Sequence, residues 1–364
     1  MDRRKFAKIA GAGTAGTILA APAIAQSSPE IKWRWVSSFP KTAEASWPAT
    51  VAFTRRVSEL TDGKFQIQLF GPNELVQPLQ VLDAVQQGTV EAGFTASYFY
   101  VGKDPTFAFA SALPFGLNTR QHLAWMNAGG GGKLMNDFYA DYGVTYVGMG
   151  LTGAQMGGWY RKEIKTVGDL KGLKIRIGGF GGNILAKLGV VPQLLAAGDT
   201  YAALERGVLD AAEYTNPVDD EQMGLHKVAK FYYYPGWWEP TVQVGHFINR
   251  KKWEELPERY RIAIQAVSAE QEQVILNGYD AKNAAALKRL VGQGVQLKAF
   301  PREIMQAGYK AAFEYYDELA EKNPKFKAML SQYMTFRNDA LLWHRIAEAG
   351  YDNFVQAEWA RTKR

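Results

Sequence analysis

Segments with the periodicity of β-strands alternate with helical segments along the first hundred residues of this chain. Apolar side chains recur at every second position in 31–36, 65–70 and 90–94, and helical patterns lie between them at 43–61 and 79–87. Strands that alternate with helices form βαβ units, in which the strands are mainly parallel. The pattern predicts an α/β fold whose ligand crevice lies at the carboxyl ends of the strands.

The remaining residues continue this alternation and end in helices. Further strands are predicted at 144–149, 155–160, 173–177, 208–214 and 243–249, and further helices at 120–127, 134–142, 183–188, 199–205, 252–291, 313–323 and 336–362. A chain of 364 residues is too long for a single hydrophobic core. We therefore expect two domains, with the first crossing between them near Gly150.

Residues 1–25 are predicted to be a twin-arginine export signal. An Arg-Arg pair precedes an apolar stretch rich in small residues at 9–21, and Ala23-Ile24-Ala25 has the small-x-small pattern of a cleavage site. An uncleaved membrane anchor is the alternative, but it needs about 20 apolar residues and this stretch is shorter. We expect a mature chain that begins at Gln26 and is located in the periplasm.

The composition excludes several classes of site. The chain has no cysteine, so disulfides, thiolate catalysis and cysteine-ligated zinc are excluded. The net charge is +6, and the predicted signal contains four basic residues and one acidic residue, which leaves about +3 for the mature chain. This balance, without any basic run, argues against a nucleic-acid partner and suits a small organic anion.

One arginine lies where the predicted fold binds ligands. Arg176 lies between Ile175 and Ile177 in a strand that ends at Gly178-Gly179. On a strand its side chain points away from those of the isoleucines. A guanidinium at such a strand end can bind a carboxylate through two parallel hydrogen bonds. The alternative is an ordinary surface arginine on an edge strand.

Aromatic side chains follow two of the strand segments. Tyr98, Phe99 and Tyr100 lie in a loop after the third strand, and six of the eight residues 231–238 are aromatic. Such residues line ligand clefts but also pack between domains. Both interpretations stay open for the first group, and interdomain packing is expected for most of the second. The predicted substrate-binding residues are Arg176, Gln155, Tyr98, Tyr100, Phe180 and Asn216.

A series of motifs makes the chain resemble a known family. In chain order the motifs are Gly71-Pro72-Asn73-Glu74-Leu75, Pro114-Phe115-Gly116-Leu117, Gly172-Leu173-Lys174-Ile175-Arg176 and Leu204-Glu205-Arg206-Gly207-Val208-Leu209-Asp210-Ala211-Ala212-Glu213. Together with the export signal they resemble the DctP-type substrate-binding proteins of TRAP (tripartite ATP-independent periplasmic) transporters, over essentially the whole mature chain. The resemblance implies a type II-like, two-lobed α/β periplasmic binding protein with a long helix that spans the lobes and a helical C-terminal extension.

The resemblance is strongest to the branch of this family that binds 2-oxo acids. The matching segments are 155–159, 178–180, 219–221 and 232–239. In that branch the arginine matching Arg176 binds the substrate carboxylate. A metal cation is held by residues that match Gln155, Glu213, the backbone carbonyl of Tyr214, and Glu239. The branch member compared has tryptophan where this chain has Tyr214.

The donor atoms at these positions suit a hard cation. Gln155, Glu213 and Glu239 offer amide and carboxylate oxygens, and no two histidines have the spacing of a metal pair. We expect calcium or sodium, which a 2-oxo acid can chelate while Arg176 holds its carboxylate. Each residue taken singly has another interpretation. Glu213 could be a surface acid at a strand end, Glu239 could be a turn residue, and Gln155 could be an exposed strand residue.

The predicted function is that of a binding protein, not an enzyme. Two lobes would close by hinge motion on a small 2-oxo or 2-hydroxy monocarboxylate, similar to pyruvate or lactate, and deliver it to TRAP membrane subunits. The alternative is a metal-dependent periplasmic lyase or hydrolase that acts on a small carboxylic acid through Glu213 and a metal-bound water. No Ser/His/Asp arrangement or carboxylate dyad in the sequence supports that alternative.

The expected domain bounds follow from these assignments. Lobe 1 comprises 26–150 and 240–275, lobe 2 comprises 151–239 and 276–330, and 331–364 form the extension. The C-terminal region is amphipathic and rich in aromatic residues, namely Phe313, Tyr315, Tyr316, Phe336, Trp343 and Phe354. In the resembling branch this extension forms a helix-swapped dimer, so a homodimer through the C-terminal helix is expected.

Overall fold

Residues 28–362 are described by the structure, a computed structural model, and the predicted export signal lies outside them. The strands, in chain order, are β1 (Ile31–Ser37), β2 (Phe65–Phe70), β3 (Ala92–Ala96), β4 (Val144–Leu151), β5 (Trp159–Tyr160), β6 (Lys174–Arg176), β7 (Val191–Gln193), β8 (Ala211–Ala212), β9 (Phe231–Tyr234), β10 (Gln243–Asn249) and β11 (Gln296–Ala299). The helices are α1 (Ser46–Leu60), α2 (Val81–Gln86), α3 (Thr119–Asn127), α4 (Gly131–Ala140), α5 (Gly179–Lys187), α6 (Thr200–Glu205), α7 (Pro217–Gln222), α8 (Arg250–Glu255), α9 (Glu258–Gly292), α10 (Arg302–Lys322), α11 (Pro324–His344) and α12 (Gly350–Thr362).

The strands form two separate sheets, and each sheet is the centre of one lobe. The sheet of lobe 1 has the order β2-β1-β3-β10-β4, in which β1 runs parallel to β2 and β3. The sheet of lobe 2 has the order β11-β9-β5-β8-β6-β7. One strand in each sheet, β10 or β5, is antiparallel to both of its neighbours. The α/β class and the two lobes are therefore confirmed, with one reversed strand per sheet.

The long helix α9 contacts both lobes along its 35 residues. Near its start, Tyr260, Ile264 and Val267 are buried in the apolar core of lobe 1. Near its end, Leu290 packs in an apolar cluster of lobe 2. The helical pattern from 252 is interrupted because Pro257 disfavours a helical conformation at the residue before it, so a short α8 precedes α9.

The C-terminal helices extend from lobe 2 to lobe 1. On α10, Tyr315 packs against Phe180 of α5, with ring centroids 5.2 Å apart. On α11, the Tyr333 hydroxyl accepts a hydrogen bond from the Leu117 N–H at 2.8 Å, and Phe326 packs against Phe109 of lobe 1. The helical extension is thus confirmed, although α10 begins at Arg302, before the predicted 313.

Two strand predictions are too long. The segment 155–160 is a strand only at β5, because the N–H groups of Gln155, Met156 and Gly157 donate to carbonyls of three different loop or strand segments rather than to one partner strand. The segment 208–214 is a strand only at β8. Within residues 28–362, no helix combines the length and the apolar character that a bilayer span requires.

Candidate functional site

Two parallel strands of lobe 2 bring an arginine and a glutamate side by side. β6 pairs with β8 so that Arg176 lies opposite Ala212, and the Glu213 N–H donates to the Arg176 carbonyl at 2.9 Å. Neighbouring parallel strands end at the same edge of a sheet, and open α/β sheets bind their ligands at that edge. Arg176 and Glu213 therefore meet where this fold class forms sites.

The guanidinium of Arg176 is buried, with 2% of the residue exposed. Its Nη1 donates to the Glu213 carbonyl at 2.7 Å and lies 3.4 Å from the Glu213 carboxylate, while Nε donates to the Leu195 carbonyl at 3.3 Å. The guanidinium carbon lies 5.9 Å from the ring centroid of Tyr214. A buried cation needs a close anion, and the carboxylate at 3.4 Å is a distant one, so the group can accept a further anionic partner.

A loop of lobe 2 brings Gln155 and Glu239 to each other. The Gln155 N–H donates to the Glu239 carbonyl at 3.3 Å, and the Gly236 N–H donates to the Gln155 carbonyl at 3.0 Å. A Cβ at Gly236 would lie 2.6 Å from that carbonyl oxygen, so only glycine permits the approach. The Gln155 amide nitrogen donates to the Thr152 hydroxyl at 3.2 Å, which leaves the amide oxygen as an acceptor.

Four buried oxygens of this region have no hydrogen-bond partner among the described residues. They are Gln155 Oε1, Glu213 Oε1, Asn216 Oδ1 and Glu239 Oε2. An unpaired buried acceptor costs about 1–3 kcal/mol, and more when it is charged, so these oxygens gain stability from an added partner. A group of oxygen acceptors without donors is the arrangement that a bound cation satisfies.

The electrostatics of the two carboxyls agree with this interpretation. Burial raises the pKa of Glu239 to about 8 and raises the pKa of Glu213 well above its ordinary value. The charge of Glu239 raises the Glu213 pKa further, and Arg176 opposes the shift at both carboxyls. One guanidinium does not neutralise two buried carboxylates, whereas an added cation would stabilise both in their charged forms.

The donor set fits calcium or sodium. The oxygens of Gln155, Glu213 and Glu239, with the backbone carbonyl of Tyr214, are hard ligands of the kind that these ions take. Nowhere in residues 28–362 do three Cys, His, Asp or Glu side chains form a metal-binding group, so a zinc-type site does not fit. When bound, a hard cation supplies positive charge to the carboxylates and coordination positions to ligand oxygens.

A small cavity lies between the two lobes. Its wall includes Ser38, Phe39, Ser46, Pro78, Leu79, Tyr98 and Phe99 from lobe 1, and Thr152, Gln155, Arg176, Ala196, Ala197, Tyr214, Thr215 and Asp219 from lobe 2. The volume open to the centre of a water-sized sphere is about 40 Å³. An ordered water needs roughly 10–15 Å³ by that measure, so the cavity suits a ligand of a few heavy atoms.

The aromatic run of lobe 1 divides between the cavity and the core. Residues Ser97–Tyr100 form one turn of 3₁₀-helix, in which successive side chains point about 120° apart. Tyr98 and Phe99 therefore line the cavity. Tyr100 points into lobe 1, where its hydroxyl accepts from the Leu82 N–H at 3.2 Å and lies 3.1 Å from the Thr95 hydroxyl. The structure thus does not place Tyr100 at the cavity.

Two other predicted residues are also away from the wall. Phe180 lies in the first turn of α5, where it packs against Tyr315 and Phe326 and is not on the cavity wall. Asn216 is buried beside the site. Its amide nitrogen donates to the Thr152 carbonyl at 3.0 Å, and its amide oxygen is one of the unpaired acceptors. Asn216 therefore lies beside the wall residue Thr152 and is not itself on the cavity wall.

Several wall residues are absent from the sequence-based prediction. Phe39 follows β1, and its position at a strand end is a signal that was available in the sequence. Asp219 on α7 and Tyr279 on α9 also line the cavity. Asp219 belongs to a segment that resembles the 2-oxo acid branch, but the approach of Tyr279 depends on how the long helix packs, which no local pattern reveals.

Two α/β lobes that enclose a small cavity lined by a buried arginine define a hinged solute-binding protein. The family model described as bacterial extracellular solute-binding protein, family 7 (DctP), matches residues 37–323. The chain therefore belongs to the DctP family of TRAP solute-binding proteins.

Individual relatives match over nearly their whole length. A monocarboxylate 2-oxoacid-binding periplasmic protein of Nostoc sp. is 44% identical over 98% of this chain and 100% of the relative. A TRAP transporter solute-binding protein of Bordetella bronchiseptica is 45% identical, with a TM-score of 0.90 over 92% of this chain and 99% of that one; it is a dimer of mixed occupancy, with calcium and picolinate in the bound site. A TRAP periplasmic solute-binding protein of Pseudoalteromonas atlantica, with bound sodium and pyruvate, is 33% identical, with a TM-score of 0.86 over 89% and 99%.

These comparisons confirm the family, the two-lobed fold and the prediction that the protein is not an enzyme, because the family and its solved members are solute-binding receptors. The family is extracellular or periplasmic. In the two solved relatives, calcium or sodium accompanies the organic anion.

Proposed function

We propose that this protein is a periplasmic receptor that captures a small 2-oxo or 2-hydroxy monocarboxylate, similar to pyruvate or lactate, and delivers it to TRAP membrane subunits. Arg176 binds the carboxylate. Calcium or sodium, held by Gln155, Glu213, the Tyr214 carbonyl and Glu239, binds a carboxylate oxygen and the 2-oxygen. The observation that carries the proposal is a buried guanidinium on the wall of a small cavity between the lobes, with buried oxygens that lack donors next to it.

The charge balance supports a monoanion. Among the ion, Arg176, Glu213 and Glu239 alone, without Asp219 on another part of the wall, calcium leaves an excess of one positive charge, which a monocarboxylate neutralises. With sodium, the balance closes when one of the two carboxyls keeps its proton. Uncompensated charge is costly in a buried cavity, so a ligand with one negative charge is favoured.

Substitution of the buried arginine tests this proposal. Pyruvate and lactate are titrated by calorimetry in calcium, in sodium and with chelator, and the melting temperature is followed in parallel. We expect Arg176→Lys to weaken binding at least about 100-fold, because an ammonium cannot form the paired hydrogen bonds of a guanidinium. Arg337→Lys is the matched control, since Arg337 is also buried but donates to the Phe115 carbonyl at 3.0 Å and is not on the cavity wall.

Wild-type affinity in Arg176→Lys would contradict the assignment of the carboxylate site. If the affinity for pyruvate did not fall when chelator is added and sodium is left out, the proposed role of a bound cation would be contradicted. Conversion of pyruvate or lactate by the wild-type protein would contradict a function limited to binding.

We also propose the domain bounds 26–150 with 240–275 and 151–239 with 276–330, and export by the twin-arginine signal at 1–25. The first sheet, with β1 to β4 and β10, supports the bounds of lobe 1. Replacement of both Arg3 and Arg4 by lysine should leave the protein in the cytoplasm, as fractionation of cells would measure.

A homodimer through the C-terminal extension, 331–364, completes the proposal. Tyr351, Phe354 and Trp359 of α12 are exposed in the single chain, Phe354 by 67%, which is unusual for large apolar side chains. The B. bronchiseptica relative is a dimer. Light scattering of the mature protein should give twice the chain mass, and a double variant, Phe354→Asp with Trp359→Asp, should give the mass of one chain.

A further inference from the structure

Asp219 is a buried acid on the cavity wall that lacks a cationic partner. It lies at the start of α7, with 3% of the residue exposed. Its Oδ1 accepts from the Glu44 N–H at 2.9 Å and its Oδ2 accepts from the Tyr279 hydroxyl at 2.5 Å. Burial raises the pKa of Asp219, and these two donors oppose that shift by stabilising the carboxylate.

The basic side chains near Asp219 are bound to other acids. On α9, Lys282 pairs with the side chain of Glu44, and Arg289 pairs with Glu221. Among residues 28–362 no lysine or arginine forms an ion pair with Asp219. The Asp219 carboxylate therefore retains its negative field at the wall of the cavity.

Arg176 does not neutralise this carboxylate either. Its hydrogen bonds go to Glu213 and Leu195. The Tyr214 side chain neighbours both charged groups, because its ring lies 5.9 Å from the Arg176 guanidinium and, after burial, the charge of Asp219 is the largest influence that raises the pKa of its hydroxyl. The cavity wall thus has a positive group in one place and a negative group in another.

The remainder of the wall is mainly apolar. The larger apolar side chains are Phe39, Pro78, Leu79, Phe99, Val242, Val244 and Ile275. A ligand whose carboxylate binds Arg176 has the rest of its atoms among these side chains and within the field of Asp219. A second carboxylate close to Asp219 would face a like charge, which is strongly unfavourable at a buried site.

We propose that Asp219 determines the specificity of the site by excluding dicarboxylates and admitting 2-oxo monocarboxylates with a neutral tail. This inference rests on the proposed function, in which the first carboxylate binds Arg176.

The same aspartate joins the two lobes, which increases its effect. Asp219 belongs to lobe 2, and its partner Glu44 lies in the loop after β1 of lobe 1. A second carboxylate that pushed Asp219 aside would break this contact between the lobes as well as repel the charge. A neutral tail leaves the contact intact.

Two ligands of equal size isolate the effect of charge. The chain of 4-methyl-2-oxopentanoate ends in two methyl groups on one carbon, and oxaloacetate has two carboxylate oxygens in the same positions. Both are titrated by calorimetry in calcium, with oxaloacetate freshly dissolved, into wild type, Asp219→Asn and Asp219→Ser. The measured quantity is the ratio of the two dissociation constants, oxaloacetate over 4-methyl-2-oxopentanoate, so a general loss of affinity cancels.

We expect the ratio to fall at least about tenfold in both Asp219 variants, because the like charge is removed. Glu221→Gln is the matched control. Glu221 lies on the same helix and its loss changes the net charge equally, but it pairs with Arg289 and is not on the wall. Its ratio should stay within about twofold of wild type.

An unchanged ratio in both Asp219 variants would overturn the inference, even if both ligands bind more weakly, since Asp219 would then serve only to close the cleft. A wild-type protein that binds pyruvate but not 4-methyl-2-oxopentanoate would also overturn it, because the neutral tail must be accepted. If wild type binds none of these acids, the proposed function fails together with the inference.

Discussion

Asp220 and Glu213 are both fully buried in lobe 2, yet the protein supplies a complete set of hydrogen-bond donors only to the first. Asp220 accepts from the Trp159 indole at 2.9 Å, the Tyr232 hydroxyl at 2.6 Å and the Thr215 N–H at 3.1 Å. The Glu213 side chain has one donor, the Arg176 guanidinium at 3.4 Å, and it lies beside another acid, Glu239. Its other carboxylate oxygen has no donor in the part of the chain that the structure describes.

The difference separates a structural carboxylate from one that awaits an outside partner. A buried acid with its donors in place contributes to the folded state by itself. A buried acid without donors weakens the ligand-free protein and gains its partner only when a ligand or cation binds. The first should therefore control stability and the second should control affinity.

The largest expected effect is on ligand affinity and comes from the proposed cation ligands. Glu239→Gln measures it. We expect the affinity for pyruvate in calcium to fall at least about 100-fold, because a charged ligand of the cation is lost. The free energy of unfolding in chelator should be unchanged or higher by up to about 1 kcal/mol, because repulsion between Glu239 and Glu213 is removed. Calorimetry and urea unfolding provide the two values.

The comparison of Asp220 with the cation ligands would fail if Glu239→Gln lost as much free energy of unfolding in chelator as it loses free energy of binding. Glu239 would then be part of the folded scaffold, as Asp220 is. Glu213→Gln should behave in the same way as Glu239→Gln if both oxygens serve one cation.

The next largest effect is expected on stability and not on affinity, and Asp220→Ala measures it. Removal of this carboxylate leaves the Trp159 and Tyr232 donors without an acceptor, so the free energy of unfolding should fall by about 2 kcal/mol. The affinity for pyruvate should change less than tenfold. Urea unfolding and calorimetry check both values, and a loss of affinity equal to that of Glu239→Gln would show that the network holds the site and not only the fold.

How much of the fold is visible in the sequence depends on segment length. The alternation predicts β1, β2 and β10 to within one residue, because each strand has six or seven residues, which is long enough to display a period of two. It misses β7, β9 and β11, since three or four residues do not display a period, and β7 contains Pro192. The start of α10 is also missed.

The same distinction between local pattern and distant contacts applies to the site. Arg176 and Gln155 lie on the cavity wall. The strand-end position of Arg176 predicts this for the arginine, and the family resemblance predicts it for both residues. Tyr100 does not, because a local turn of 3₁₀-helix rotates it into the core. Asp219 and Tyr279 reach the wall through helix packing, which depends on contacts between distant parts of the chain.

The comparison of buried ionisable groups also includes a basic side chain, a histidine in lobe 1. His246 is fully buried, its Nδ1 accepts from the Trp35 indole at 3.1 Å, and burial lowers its pKa to about 3. In the unfolded chain a histidine titrates near pH 6.5, so the unfolded state takes the proton first. The contribution of neutral His246 to stability is therefore complete above about pH 6.5 and is lost as the pH falls towards 3.

His246→Gln retains an acceptor for Trp35 but does not titrate. Between about pH 6.5 and 4, wild type should lose about 1.4 kcal/mol more stability per pH unit than the variant. Urea unfolding at several pH values measures the two slopes. Parallel slopes would mean that His246 takes up its proton in the folded protein over the same pH range as in the unfolded chain.

The smallest effect is expected where the proposed cation ligand is a backbone atom. Tyr214→Trp replaces the ring that lies against Arg176 but keeps the carbonyl, and the affinity for calcium in the presence of pyruvate should stay within about threefold of wild type. The larger indole narrows the cavity, so 4-methyl-2-oxopentanoate should lose more affinity than pyruvate. Calorimetry measures both ligands. A loss of calcium affinity beyond about tenfold would mean that the Tyr214 side chain, and not its carbonyl, positions the cation.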